Sequence, residues 1–293
     1  MKASAFSYAR PTSVSKAVEL LVAHGERAKV LAGGQSLLPA MNLRLLAPEW
    51  IVDIGGLSEL RGISVSDGRI TIGALTRHAD LLRSVEVAAH APLLGKATGH
   101  IAHPAIRNRG TIGGSLAHAD PASELPACMV ALDATVIACG PAGERRIPAT
   151  EFFTGTYETA LSAAELLVAV ELPAASKNSA HFFDELARRH GDYAIVGLAA
   201  QAVVENDRLN ELRAVFFGVS DRPQLARASA SLIQTTVTPE SLSQALEALS
   251  EELAPPEDQQ ANGAMRRHLA KILLARCVSE LLDRPELGAG GRP

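Results

Sequence analysis

A chain of 293 residues, 47% hydrophobic and 20% charged, is long enough to bury two modest cores or one large one, as an ordinary soluble globular protein does. Its formal net charge of −4 provides no basic face, which argues against nucleic-acid or anionic-membrane partners. Three scattered cysteines, Cys128, Cys139 and Cys277, lack Cys-x-x-Cys spacing and argue against a disulfide framework or an iron–sulfur cluster within the chain. Met1–Pro11 is polar, without the apolar core of a signal peptide, and Ala194–Val204 is too short to span a bilayer and contains Gln201. A cytoplasmic location is therefore expected.

In chain order, Thr12 or Ser13 caps a helix to about Ala23, with Ala17, Val18, Leu20 and Leu21 as its apolar face and Gly25 as its stop. A strand at Ala28–Ala32 delivers the loop Ala32-Gly33-Gly34-Gln35-Ser36. Trp50–Ile54 reads as a strand, and Ile63–Val65 and Arg69–Ile72 as a hairpin about Ser66-Asp67-Gly68. Helices are expected at about Arg77–Leu82 and Leu93–Ile101, after which Ile106–Gly110 leads to a second loop, Thr111-Ile112-Gly113-Gly114-Ser115. Ser123–Leu132 reads as a helix with Pro126 in its first turn, Thr135–Ala138 and Arg145–Pro148 as a hairpin, and Leu166–Leu172 as a strand ended by Pro173.

The Ala-, Ser- and Pro-rich stretch Pro173–Ser179 marks a boundary, giving a first domain of 1–176 and a second of 177–287. The second holds three antiparallel strands, His181–Ala187, Ile195–Val204 and Leu209–Gly218. Helices then run from about Leu225 to Leu253 and from Asn262 to Asp283, interrupted by Ala254-Pro255-Pro256, and 288–293 form a disordered tail. The alternation is α+β and not a regular β-α-β series.

The two Gly-Gly loops carry the chemistry. Glycine permits left-handed or crowded backbone, so that successive N–H groups can converge on an anion. Two such nests suit the two phosphates of a dinucleotide such as FAD. Neither loop has the Gly-x-Gly-x-x-Gly of a Rossmann fold or the Gly-Lys-Ser/Thr of a P-loop, and no lysine follows the first to reach a terminal phosphate. That favours a cofactor whose phosphates are never transferred. His118 and Asp120, with His100 and His103 nearby, lack the spacing of a catalytic metal site, and neither Ser36 nor Ser115 lies in Gly-x-Ser-x-Gly.

Lys29-Val30-Leu31-Ala32-Gly33-Gly34-Gln35-Ser36-Leu37-Leu38-Pro39 and the run from Ile106 to Pro121, with Thr111-Ile112-Gly113-Gly114-Ser115 at its centre, resemble the two flavin motifs of the FAD-binding subunits of molybdenum hydroxylases. The resemblance extends from Phe6 to about Leu282. It implies an FAD domain of two small α+β subdomains, of the vanillyl-alcohol-oxidase/PCMH-like class, with the dinucleotide between them, followed by a C-terminal domain with a three-stranded antiparallel sheet and helices.

On this resemblance the cofactor is non-covalent FAD. Gly33, Gly34, Gly113 and Gly114 allow the diphosphate to approach the backbone, and Gln35, Ser36, Thr111 and Ser115 donate to its oxygens; relatives often carry Asn at the Ser115 position. Lys29 faces phosphate or ribose, or is simply solvated. Val30, Leu31, Ala32, Leu37 and Ile112 complete the two motifs. Glu124 matches a carboxylate that contacts the adenosine end, and equally suits the first turn of a helix. Ile101 and Leu167 match positions that pack on cofactor rings, although periodicity alone makes both core. Tyr193 matches an aromatic near the isoalloxazine, or it anchors a strand start. Some relatives have a lysine where Ala187 stands, and that contact is lost here.

The resemblance further implies an oxidoreductase subunit without catalytic residues of its own. A large subunit with the molybdenum cofactor oxidises the substrate, a small subunit with two [2Fe–2S] clusters relays electrons, and this chain passes them to an external acceptor within an (αβγ)2 assembly. The absence of a four-cysteine insertion argues against the aryl-CoA reductase subtype. Two alternatives remain open: a self-contained flavin-dependent reductase of the related fold, and a non-enzymatic nucleotide-binding or assembly module. Substrate-dependent flavin reduction by the chain alone marks the first, and absence of flavin the second.

Overall fold

The computed structural model describes residues 2–189 and 191–288. The chain opens with β1 (Ser7–Ala9), α1 (Val14–His24), β2 (Ala28–Leu31), α2 (Leu37–Asn42) and β3 (Trp50–Asp53). The strands form a small parallel sheet in the order β1-β3-β2. Ser13 caps α1 by accepting from the Lys16 N–H, and Gly25 ends it at φ +53°. Ala17 and Leu21 of α1 bury against Val52 of β3 and against Leu166 and Val168 of a strand from much later in the chain.

The second unit comprises β4 (Ile63–Ser66), β5 (Arg69–Gly73), α3 (His78–Arg83), α4 (Val85–His90), α5 (Pro92–His100), α6 (Pro104–Arg107), α7 (Ile112–His118), α8 (Glu124–Ala131), β6 (Thr135–Gly140), β7 (Gly143–Pro148), α9 (Ala149–Phe152), β8 (Phe153–Gly155), β9 (Glu158–Thr159) and β10 (Leu166–Pro173). Its sheet runs β4-β5-β10-β6-β7, all antiparallel, so the last strand in sequence is the central one. β10 reads as an almost continuous apolar run because both of its faces are covered. Leu166 and Val168 meet the first unit, while Leu167, Val170 and Leu172 meet the helices. A bulge between Leu167 and Ala169 re-aims the strand. The β4–β5 hairpin turns on Asp67 and Gly68, both at positive φ (49° and 71°), as a two-residue turn of this hand requires.

The third unit holds β11 (Ser179–Leu186), β12 (Val196–Glu205), β13 (Arg208–Phe217), the two-residue edge strand β14 (Gln224–Leu225), α10 (Pro239–Glu252), α11 (Gly263–Leu281) and α12 (Pro285–Gly288). One sheet face, with Phe182, Leu198, Ala200 and Phe216, packs on α10 and α11; the other, with Phe183, Ala199, Val215 and Phe217, joins the core of the second unit. The sheet thus bridges two cores. Gly197 lets it pack, because a Cβ there would lie 2.0 Å from the Phe217 ring.

One expectation changes. The long helix from Leu225 to Leu253 does not form. Residues 227–232 make a 3₁₀ segment, and α10 starts only after Thr238, whose side chain and that of Ser241 close a capping box ahead of Pro239. The second glycine loop leads into α7 and the first into α2, two helices the sequence pattern does not announce. The tail expected at 288–293 lies outside the described residues except for Gly288, which ends α12. No helix among the described residues is long and apolar enough to cross a membrane.

Candidate functional site

β2 delivers the first loop at the edge of the small parallel sheet. Gly34 stands at φ +73°, a conformation that side-chain-bearing residues rarely take. Among the described residues, the backbone N–H groups of Gly33, Gly34, Gln35 and Ser36 donate to no carbonyl or side chain. Gln35 turns its amide Nε2 onto the Gly33 carbonyl at 2.9 Å, stiffening the loop and occupying one of the donors assigned to phosphate. Ser36 is exposed, Leu31 and Leu37 half-buried, and Lys29 exposed on β2.

The second loop comes from the other unit and meets the first. A Cβ on Gly33 would lie 2.3 Å from the Arg109 carbonyl oxygen, and one on Gly114 would reach the Ala32 Cβ at 3.9 Å. The two motifs, distant in sequence, therefore face one another across a single seam. They are not equivalent nests. Thr111 caps α7 by accepting from the Gly114 N–H at 3.2 Å, Ile112 N–H donates to Thr76, and Gly113 N–H donates to Ala74. The N–H groups of Ile112, Gly113, Gly114 and Ser115 are thus occupied, and the second loop contributes close approach and hydroxyls. Gly113 also lets α7 sit on the sheet, since a Cβ there would lie 2.6 Å from the Ala74 Cβ.

Ser115 Oγ lies 3.1 Å from His78 Nε2. Burial pushes His78 down to about 4, so the ring is neutral near pH 7. Ordinary sequence patterning gives no sign of His78. Gly110 makes room for it, as a Cβ at that position would fall 2.9 Å from the ring.

A second cluster lies beyond α7. Glu124, at the start of α8, is pushed up to about 7, chiefly by burial and further by the charges of Glu185 and Asp120, with His100 opposing. Glu185 of β11 has a side chain only 5% exposed; its Oε1 lies 3.5 Å from His100 Nδ1, and its buried Oε2 has no hydrogen-bond partner among the described residues. Glu185 and Asp184 raise the His100 ring's proton affinity. Tyr193 is 61% exposed and within electrostatic reach of Glu124 and Asp120; Tyr157, at φ +59°, donates to Asp120 at 3.4 Å. Gly191, at φ +80°, fits the Tyr193 turn against the Ala102 carbonyl beside Ile101, where a Cβ would lie 2.9 Å away.

The structure thus brings Ile101, Glu124 and Tyr193 near one another. Ile101 and Leu167 are both buried in the core of the second unit. Glu185 and Tyr157 were not singled out from sequence. The signal for Glu185 is a carboxylate two residues from Phe183, on the strand face that turns to the core.

Residues 4–175 match the FAD binding domain in molybdopterin dehydrogenase, and residues 181–281 match the CO dehydrogenase flavoprotein C-terminal domain. The chain belongs to this family of FAD-binding medium subunits of molybdenum hydroxylases. It is 40% identical over 286 residues to the 6-hydroxypseudooxynicotine dehydrogenase complex subunit alpha of Paenarthrobacter nicotinovorans, covering 97% of each chain. It is 36% identical to the carbon monoxide dehydrogenase medium chain of Hydrogenophaga pseudoflava, covering 94% of this chain and 96% of that one. Among solved structures, carbon monoxide dehydrogenase from Hydrogenophaga pseudoflava superposes with a TM-score of 0.94 at 37% identity, covering 97% of this chain and 99% of that one. Quinoline 2-oxidoreductase from Pseudomonas putida 86 gives 0.91 at 39% identity, covering 97% and 99%. The chain is an FAD-binding subunit of an oxidoreductase of this class. The seam fits that cofactor: the free N–H groups and the glycine cradle match a diphosphate.

Proposed function

We propose that this chain is the electron outlet of a molybdenum-containing dehydrogenase, holding non-covalent FAD between its first two units and releasing electrons to an external acceptor. The observation that carries this reading is the contact of Gly33 with the Arg109 carbonyl, which joins the two motifs into one seam. The N–H groups of Gly33–Ser36 and the hydroxyls of Ser36 and Ser115 are placed to bind the diphosphate, each bond to an anion contributing about 1.5–3 kcal/mol. Thr111 shapes the second wall: its hydroxyl oxygen accepts from the Gly114 N–H, which leaves the O–H proton to donate to the diphosphate.

Bound there, FAD supplies the two-electron redox chemistry and the protein its placement and surroundings. Ile101 and Leu167 pack toward the cofactor rings, Glu124 toward the adenosine end, and Tyr193 toward the isoalloxazine end. Tyr193, exposed at the rim, limits access of an acceptor to that end. The electrons come from the [2Fe–2S] clusters of a small partner subunit and originate at the molybdenum cofactor of a large one, in an (αβγ)2 assembly in the cytoplasm. The unit boundary near residue 176 separates the FAD-binding part from the C-terminal part.

The test is the absorption spectrum of the complex purified from its native host, with cofactor extraction and subunit sizing. One flavin per chain, iron–sulfur absorbance and two further subunits are expected. A chain that oxidises an organic substrate by itself, or a colourless one that binds no added FAD, overturns the proposal.

A further inference from the structure

Tyr157 sits in the turn of the β8–β9 hairpin at φ +59°, a conformation that a tyrosine rarely takes, and it is 57% exposed. Its surroundings hold it there. Its N–H donates to the Ala119 carbonyl at 3.1 Å, where Ala119, itself at φ +49°, closes the C-terminal end of α7. Its hydroxyl donates to Asp120 at 3.4 Å, and its ring meets the His118 ring with centroids 4.9 Å apart. One segment of the third unit ties this hairpin to the turn that carries Tyr193. Arg222 donates to the Thr154 carbonyl at 3.5 Å, and the Gly218 N–H donates to the Pro121 carbonyl at 2.8 Å. Gly218, at φ +76°, packs so closely on the residues after Tyr193 that a Cβ there would lie 2.6 Å from the Ile195 carbonyl oxygen. Two exposed tyrosines, Tyr157 and Tyr193, are thus held on one rim by hydrogen bonds and main-chain contact.

We propose that Tyr157, with Tyr193, forms the binding ledge for the electron acceptor, and that this acceptor is a neutral planar ring of the quinone class. The proposal rests on the electron-outlet reading and names the acceptor of that site. An exposed aromatic ring that is already immobilised stacks a planar ligand at little cost in side-chain entropy. Charge then selects among planar acceptors. Asp120 is bonded to Tyr157, Glu158 follows it, and Asp192 precedes Tyr193; none of the three is in an ion pair among the described residues. Arg188 is committed to the Gln259 and Gln260 carbonyls and Arg222 to Asp221, which leaves three carboxylates against Arg189. That balance disfavours a phosphate-bearing nicotinamide and leaves a neutral ring unaffected. In the transfer the quinone takes two electrons and two protons from the reduced flavin. Its two C=O groups become C–OH groups, and the quinol leaves an oxidised flavin behind. Tyr157 places the ring and exchanges no proton.

The test is a calorimetric titration of the oxidised complex with menadione, which reads binding without electron transfer. One site per chain is expected. Tyr157→Gly, which accepts the positive φ without strain while removing the ring, raises the Kd roughly three- to tenfold. Tyr157→Phe, which keeps the ring, binds menadione as the wild type does. Stopped-flow reoxidation of the dithionite-reduced complex gives a second reading. The half-saturating menadione concentration rises by the same factor in Tyr157→Gly at an unchanged limiting rate, while ferricyanide, which does not stack, reoxidises both proteins alike. A Kd unmoved in Tyr157→Gly, equal losses with ferricyanide and menadione, or tighter binding of NAD+ than of menadione overturns the proposal and leaves the electron-outlet reading standing. A reduced flavin that none of the three acceptors reoxidises overturns both.

Discussion

Gly33 and Ser115 stand on opposite sides of the seam and fail differently when altered. In Gly33→Ala the new methyl meets the Arg109 carbonyl, a backbone atom that cannot rotate away, so the two units must part. The expected result is loss of FAD from the purified protein together with a lower melting temperature. Retention of FAD at wild-type affinity would mean that the contact does not close the seam. Ser115→Ala removes only a hydroxyl. Its expected cost is one charge-assisted hydrogen bond, about 1.5–3 kcal/mol, seen as a Kd for FAD raised roughly ten- to a hundredfold, with a lower melting temperature of the cofactor-free chain because the buried His78 Nε2 loses its partner.

At the scale of elements, β10 joins the first unit to the second through two differently covered faces. Leu172→Ala, at a fully buried position in the central strand, is expected to cost about 2–5 kcal/mol, measured as a lowered denaturant midpoint with unchanged slope. Much of this architecture was legible in the sequence. The helix face Ala17, Val18 and Leu21, the Asp67-Gly68 hairpin and the apolar run of β10 each carry a local rule that the structure obeys. The helices α2 and α7 were not legible, because Gly-Gly followed by Pro39 or by Leu116 has no helical periodicity long enough to register. A helix across 225–238 was over-read from composition, and the capping box at Thr238 and Ser241 was the available correction. In the site, the glycines were readable as a motif. The partners His78, Glu185 and Tyr157 were not, since their roles arise from elements that only the fold brings together.

For the molecule as a whole, stability against pH should hide two opposed groups. Glu124, raised from 4.5 to about 7, contributes stability that is complete below pH 4.5 and lost as pH rises through 7. His78, lowered from 6.5 to about 4, contributes stability that is complete above pH 6.5 and lost as pH falls through 4. In the cofactor-free chain the two slopes oppose each other between pH 4.5 and 6.5. Glu124→Gln should unmask a steeper loss toward acid, and His78→Asn a loss toward neutral pH, in denaturant midpoints taken across that range. Equal profiles for both variants and the wild type would contradict these environments.

The most direct measurement of the central claim is a titration of the full chain with FAD, followed by quenching of flavin fluorescence. The convergence of the two motifs on one cofactor predicts saturation at one FAD per chain, with affinity weakened by Gly34→Ala on the first loop and by Ser115→Ala on the second. No saturable quenching, or an affinity that ignores the second loop, would contradict it.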